Sequence, residues 1–331
     1  MTTPTIRLSA YSPYSGPHVQ DAAWWVALGA SLGLERVWFG QQSSVSVLGG
    51  VGYAAGRGHR VPVGSAVTLL PTTTPFASAL ELRSLAQLSG STVSAYFSPG
   101  YPAIQHALDG RRWPSPLTAT REFFAALRGL LAGADVSERG DYYSTTFTSP
   151  AEDVTSSVEL GLGVLRPAMA RLAGEIADGA VTWLSSPDYL SEVLVPALHD
   201  GADSAHRAAP RVVATLHAGV GVDPADAVQV VRTGIGPHLS APHYRDMLTR
   251  SGLQLDGPVT DADVRAVIDR RLFVVGDALD VAARAAELAD AGADEVSVVL
   301  HDAPGATRDD IRRAWTDVAS AAHRSTERTA A

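Results

Sequence analysis

The residues best suited to chemistry gather at one turn, Gly161-x-Gly163-x-x-Arg166-Pro167. Before it, Val158, Leu160 and Leu162 form the apolar half of a strand; after it, Leu172, Ala173, Ile176 and Ala177 recur at helical spacing. The glycines strip side chains from the strand end. Pro167 suits the first helical position, where a missing N–H costs nothing, and Gly179 is expected to stop the helix. A helix start with open backbone N–H groups beside an arginine suits an anion. The helix dipole contributes roughly 0.3–2 kcal/mol to a bound phosphate, and a charge-assisted bond from Arg166 about 1.5–3 kcal/mol. The turn is therefore expected to hold a phosphate. A dinucleotide fingerprint is a weaker reading, because Arg166 stands where the third glycine belongs. A tight turn without a ligand fits the same pattern.

Other candidates lie at the ends of apolar runs. His217 closes the strand-like run 212–217, where a positioned imidazole can act as a general acid; a buried structural histidine is the competing reading. His301 sits similarly. His238 and His243 have no metal-ligand company, so no metal site is expected. Tyr11, Tyr14 and Tyr101 can line a pocket or donate a phenolic proton. Asp178 is expected to order the turn after the helix, and Trp24, Trp25 and Trp315 to lie in the core or a subunit interface. The chain has no cysteine and no lysine. That excludes disulfides, thiolate nucleophiles and cysteine metal sites, and with them Schiff-base chemistry and the P-loop lysine.

Positioning these groups requires a frame. Strand-like and helix-like segments alternate from end to end, and eight strands can be counted. This is the pattern of an α/β (β/α)8 TIM barrel, with a doubly wound sheet as the rival. Either places ligands at the carboxyl ends of the strands. The stretch from about 234 to 270 lacks a clean period and contains several prolines and glycines, so it reads as an irregular insertion after the seventh strand. Residues 1–323 form one barrel domain on this reading, and 324–331 a polar, frayed tail. With 46% apolar residues among 331, a sizeable core is available. The net charge of −9, with both signs scattered, argues against nucleic acid. No apolar run approaches the length of a membrane span and no secretory leader is evident, so a soluble cytoplasmic protein is expected.

Several segments together resemble the luciferase-like monooxygenase superfamily of flavin and coenzyme F420-dependent enzymes. They are R-L-A-G-E-I-A-D-G (171–179), G-S-A-V-T-L-L-P-T-T-T-P-F (64–76), E-L-R-S-L-A-Q-L-S-G (81–90) and V-W-F-G-Q-Q (37–42). G-D-Y-Y (140–143), P-H-L-S-A-P-H-Y-R-D-M-L (237–248) and F-V-V-G-D-A-L-D-V (273–281) belong to the same ordered set. The resemblance implies a (β/α)8 barrel with a deazaflavin or flavin ring at the strand ends. It implies the cofactor phosphate at Gly163, Val164, Leu165 and Arg166, and a non-prolyl cis peptide behind the ring at Ala66–Val67. Ser98 and Gly100 stand in place of the small Gly-x-Gly after the fourth strand. Where many relatives carry Asp-His, this chain has Gln41 and Gln42, and Tyr101 stands where some deazaflavin enzymes keep a glutamate.

Gln42, Tyr101 and His217 are accordingly the candidate catalytic residues. The implied activity is hydride transfer between coenzyme F420 and a small-molecule or modified-peptide substrate, such as an activated C=C in a dehydroamino acid. An FMN-dependent monooxygenase is the alternative, and a non-catalytic barrel subunit a third reading. The family commonly forms dimers, so a homodimer is expected.

Overall fold

A computed structural model describes residues 7–12, 18–41, 45–148, 152–303 and 305–330. Eight parallel strands close into a barrel: β1 (Leu8–Ser12), β2 (Val37–Phe39), β3 (Val63–Leu69), β4 (Val93–Ser98), β7 (Val158–Gly163), β8 (Gly179–Trp183), β9 (Arg211–Val220) and β11 (Glu295–Leu300). β9 closes the ring by pairing with β8 over Arg211–Thr215 and with β11 over Val213–Ala218. Three short strands lie outside it. β5 (Val136–Arg139) and β6 (Ser144–Phe147) form an antiparallel hairpin, and β10 (Phe273–Gly276) extends β9 at residues His217–Val220. The eight strands expected from the alternation of segments are all in the barrel; the doubly wound alternative is excluded by closure of the sheet.

Alternation along the strands separates two cores. Outward residues such as Val37, Ala95 and Leu160 pack beneath the helices, while Tyr11, Trp38, Ala66, Tyr96, Val181, Val213 and Val299 fill the barrel interior. Glycines make room for the largest interior rings. A Cβ at Gly64 would lie 2.3 Å from Trp38, and one at Gly161 2.3 Å from Tyr96. Gly179 has the same role: it is the first residue of β8 and a Cβ there would overlap the Tyr96 hydroxyl. The helix before it ends earlier, at Ile176, with Ala177 as its cap. The sequence expectation of a helix-stopping Gly179 is thereby corrected.

The 171–179 segment has a packing explanation. Its helix, Pro167–Ile176, crosses the helix Val195–Ser204 at two glycines. A Cβ at Gly174 would lie 2.1 Å from the Leu198 carbonyl, and one at Gly201 2.0 Å from that of Arg171. Asp178 orders the exit, as expected: it accepts from the Leu160 N–H at 3.1 Å, Arg128 at 2.7 Å and Arg207 at 3.2 Å.

The insertion is more regular than its composition suggests. It carries the helices Ala227–Ser240, Pro242–Arg250 and Asp261–Asp269. Two arginines weld them. Arg245 donates to the carbonyls of Leu239 at 3.0 Å, Leu255 at 3.3 Å and Gly257 at 2.5 Å. Arg232 bridges the Val259 carbonyl at 3.0 Å and Asp261 at 2.5 Å. The C-terminal helix Arg308–Ala330 continues through the polar stretch expected to fray. No helix among the described residues is long and apolar enough to cross a membrane.

Candidate active site

At the C-terminal ends of the strands the barrel opens into a mouth, which is where barrels of this kind hold ligands. Tyr11 forms part of its floor. Its hydroxyl reaches across from β1 and donates to the Ala66 carbonyl at 2.5 Å, while its ring meets Trp183 edge-on at 5.0 Å. The peptide Ala66–Val67 is cis, where the family resemblance places one. The β3–β4 register shifts between Ala66 and Thr68, and both Ala66 and Val67 face the interior. Burial raises the Tyr11 phenol far above its ordinary range, with nearby Tyr244 adding to the effect. Tyr11 is therefore a neutral strut that holds the floor rather than a proton donor.

Beside this floor runs the turn after β7. A Cβ at Gly163 would lie 2.9 Å from Val67 Cγ1 and 3.7 Å from Ser98 Cβ, so only glycine leaves the gap between β3 and β7 open. Val164 is buried, and its N–H donates to the Val181 carbonyl at 2.8 Å. That bond fixes the turn and removes the Val164 N–H from ligand contact. The N–H groups of Leu165 and Arg166 have no backbone partner among the described residues. Arg166 caps the helix Pro167–Ile176, and its guanidinium stands 3.7 Å from Asp246 of the insertion, both side chains about half exposed. Gly100 has a left-handed φ of 69°, and a Cβ there would meet Ile104 at 2.6 Å. Ser98 Oγ accepts its N–H at 3.3 Å.

The opposite wall is built from rings. Trp183 touches His217 at 4.5 Å and His238 at 5.5 Å; His238 meets Tyr244 at 4.9 Å, Tyr244 meets His243 at 4.7 Å, and His243 stacks on Tyr101 at 5.2 Å. The insertion helix Pro242–Arg250 thus reaches over the mouth from β9 towards β4 and β7. Beneath Trp183, the fully buried His217 pairs with His301, Nδ1 to Nε2, at 2.9 Å. Gly234 of the insertion packs on the His301 ring, where a Cβ would lie 2.4 Å from Nδ1. Burial first, and neighbouring imidazoles second, push His217 well below its ordinary range. The same causes hold His238 and His301 down to about 4. These imidazoles are uncharged at neutral pH. His217 Nε2, Trp183 Nε1, His238 Nδ1 and His243 Nδ1 are buried with no hydrogen-bond partner among the described residues.

The structure brings together Ala66, Val67, Ser98 and Gly163 through Arg166, with His217 and Tyr101 on the wall across from them. Gln42 lies outside the described residues, as does Tyr14. Gln41 is outside the mouth chemistry: its Oε1 accepts from the Leu69 N–H at 2.6 Å. It lines a cavity of about 460 Å³ between the outward face of β3–β4 and the flanking helices, away from the histidines. Trp183, Tyr244 and Asp246 were not singled out from the sequence. Alternation from the buried Val181 could have turned Trp183 inward; nothing local marks the other two.

A closed parallel barrel with a glycine-lined turn and an ionisable wall at its C-terminal mouth is the architecture of a TIM-barrel enzyme. A sequence model of the luciferase-like monooxygenase family matches residues 3–295, and the chain belongs to that family. Among curated proteins, it is 30% identical over 206 residues to the 5,10-methylenetetrahydromethanopterin reductase of Methanolobus tindarius, a match covering 62% of each chain. It is 32% identical over 109 residues to an F420-dependent glucose-6-phosphate dehydrogenase of Microbacterium testaceum, covering 32% of each. The matches thus span less than two thirds of these relatives. Among solved structures, the coenzyme F420-dependent tetrahydromethanopterin reductase of Methanopyrus kandleri superposes with a TM-score of 0.76 at 21% identity, covering 95% of this chain and 97% of that one. An FMN-bound type II Baeyer–Villiger monooxygenase component from Pseudomonas putida follows at 0.72 and 15%, covering 97% and 98%. These likenesses establish the fold.

Proposed function

We propose that the protein is a coenzyme F420-dependent oxidoreductase that transfers hydride between the deazaflavin and an organic substrate held under the insertion. The observation that carries this reading is the slot at Gly163, kept open against Val67 and leading to the helix start at Arg166–Pro167. F420-dependent relatives in the same family support it. The residues present fit a phosphate-bearing flat ring. Ala66 and Val67 would back the ring, Ser98 and Gly100 would border it, and Gly163, Leu165 and Arg166 would take the phosphate, while Val164 holds the turn. When bound, the reduced deazaflavin supplies the hydride.

The chain's own residues supply position and open hydrogen-bonding nitrogens. Tyr11 and Trp183 exclude water from below. His217 and His301 share one hydrogen bond, so the tautomers of the two rings are linked. With the His301 Nε2–H donating to His217 Nδ1, the proton of His217 sits on Nε2, a nitrogen without a partner among the described residues. Tyr101 and His243 border the outer mouth, where they orient substrate.

Titrating the purified protein with F420 and with FMN tests the reading. F420 is expected to bind tighter, and Arg166→Ala to raise its Kd about tenfold. Unchanged F420 affinity in that variant overturns the phosphate assignment. Binding of FMN alone favours a flavin monooxygenase.

A further inference from the structure

We propose that the substrate side of the mouth takes an uncharged, flat, conjugated molecule, gripped between aromatic faces and met by ring nitrogens rather than by ions. This rests on the oxidoreductase reading for the site's purpose, though not for its chemistry.

Two independent observations point there. The first is the wall itself. Tyr101, His243, Tyr244, His238, Trp183 and Tyr11 form an unbroken series of ring contacts between 4.7 and 5.5 Å. Such a series presents aromatic edges and faces, which complement a flat π-system better than a globular or sugar-like one. Three of its nitrogens, on Trp183, His238 and His243, are buried without partners among the described residues. A buried polar group without a partner is destabilising, so a ligand carbonyl or imine that bonds to one of them is favoured. His238 and His243 are both shifted towards the neutral form, by burial first. They offer hydrogen bonds without a formal charge.

The second is the distribution of charge. After each of the first four barrel strands the chain runs without Arg, Asp or Glu: residues 12–20, 40–56, 67–80 and 98–108. The described residues of these runs therefore bring no carboxylate or guanidinium to the mouth. After the later strands, Arg166 faces Asp246, which also holds Arg250 at 3.3 Å, and Arg245 is engaged by three carbonyls. Of these three arginines, none is left unpaired to receive a phosphate or carboxylate on the substrate once the turn at Arg166 is taken. A substrate anion would lose its hydration with no counter-charge in return.

The test uses three probes on the full-length protein at pH 7.5, with and without saturating F420. They are menadione (flat, neutral), 1,4-naphthoquinone-2-sulfonate (flat, anionic) and camphor (neutral, globular). The chain has no cysteine to add to the quinones. Equilibrium dialysis is expected to give menadione at least a tenfold lower Kd than either other probe. His238→Leu and His243→Leu should each weaken menadione fivefold or more, leaving F420 affinity near wild type. Equal or tighter binding of the sulfonate overturns the charge argument. Equal binding of camphor overturns the flat-ring argument. Menadione binding insensitive to both variants overturns the location, and no binding of any probe overturns the class. Failure of F420 itself to bind is read separately and bears on the oxidoreductase assignment.

Discussion

At the N-terminal end of the barrel, Arg211 is clamped between Glu159, at 2.8 and 2.9 Å, and the fully buried carboxylate of Glu295. Trp38 donates to Glu295 at 2.6 Å, Ser94 to Glu159 at 3.2 Å, and Tyr96 also donates to Glu159. At the C-terminal end, the interior holds uncharged imidazoles and an indole whose nitrogens include several without partners. One end keeps charges and pairs them, with only Arg36 Nε and Nη1 among its charged groups lacking a hydrogen-bond partner among the described residues; the other removes charge and leaves hydrogen-bonding capacity open. Closed ionic networks fix a barrel's shape, whereas open neutral donors at the other end are what a ligand can complete. The contrast fits the general division of such barrels into a stabilising base and a functional rim.

The sharpest way to break this contrast is at the base. Arg211→Met leaves the fully buried carboxylate of Glu295 without its cation and Glu159 with only Arg36, 3.9 Å away, a change that costs about 3–5 kcal/mol. Urea unfolding should show the loss at pH 7, with F420 affinity of the remaining folded protein little altered. A large fall in F420 affinity at unchanged stability would place Arg211 in the site instead.

The rim should be the acid-sensitive end. Its histidines titrate lower in the folded protein than in the unfolded chain, so their contribution is complete above about pH 6.5 and is lost as pH falls towards 4. Asp302, raised to about 6 by burial first and Asp310 second, acts in the opposite direction and offsets part of the loss. His301→Gln should therefore reduce the drop in stability between pH 7 and pH 4.5 by on the order of 2 kcal/mol. An unchanged pH slope in denaturant titrations would show that His301 is not held neutral.

The smallest effect is expected where the rim meets solvent. Asp246→Asn frees Arg166 from a half-exposed pair, which contributes at most about 1 kcal/mol to stability. F420 should bind a few-fold tighter to this variant, most visibly at low salt. Weaker binding would mean that Asp246 positions Arg166 rather than competing for it.

Much of the scaffold was legible because its signals are local. The apolar alternation of β7, Pro167 at its helix start and the ordered family segments placed the turn on the right strand. The cis peptide at Ala66–Val67 was implied by the family resemblance alone. Gly179 was misread because a glycine after an apolar helix looks the same whether it caps that helix or opens a strand; Tyr96, 83 residues earlier in the chain, decides. The insertion looked irregular because its prolines and glycines are read one at a time. Arg245 and Arg232 bind it together through carbonyls that no periodicity announces.

The amino-acid order by itself determined the alternation of strands and helices, the absence of thiol and lysine chemistry, and the glycine-bearing turn. These depend on neighbours within a turn or two of chain. Only the tertiary structure decided the state of the ionisable groups. It paired His217 with His301 across 84 residues, gave Tyr11 to the Ala66 carbonyl, and set Asp246 against Arg166. A side chain's charge and hydrogen bonds depend on what folding brings within a few ångströms, and those partners come from strands far apart in sequence.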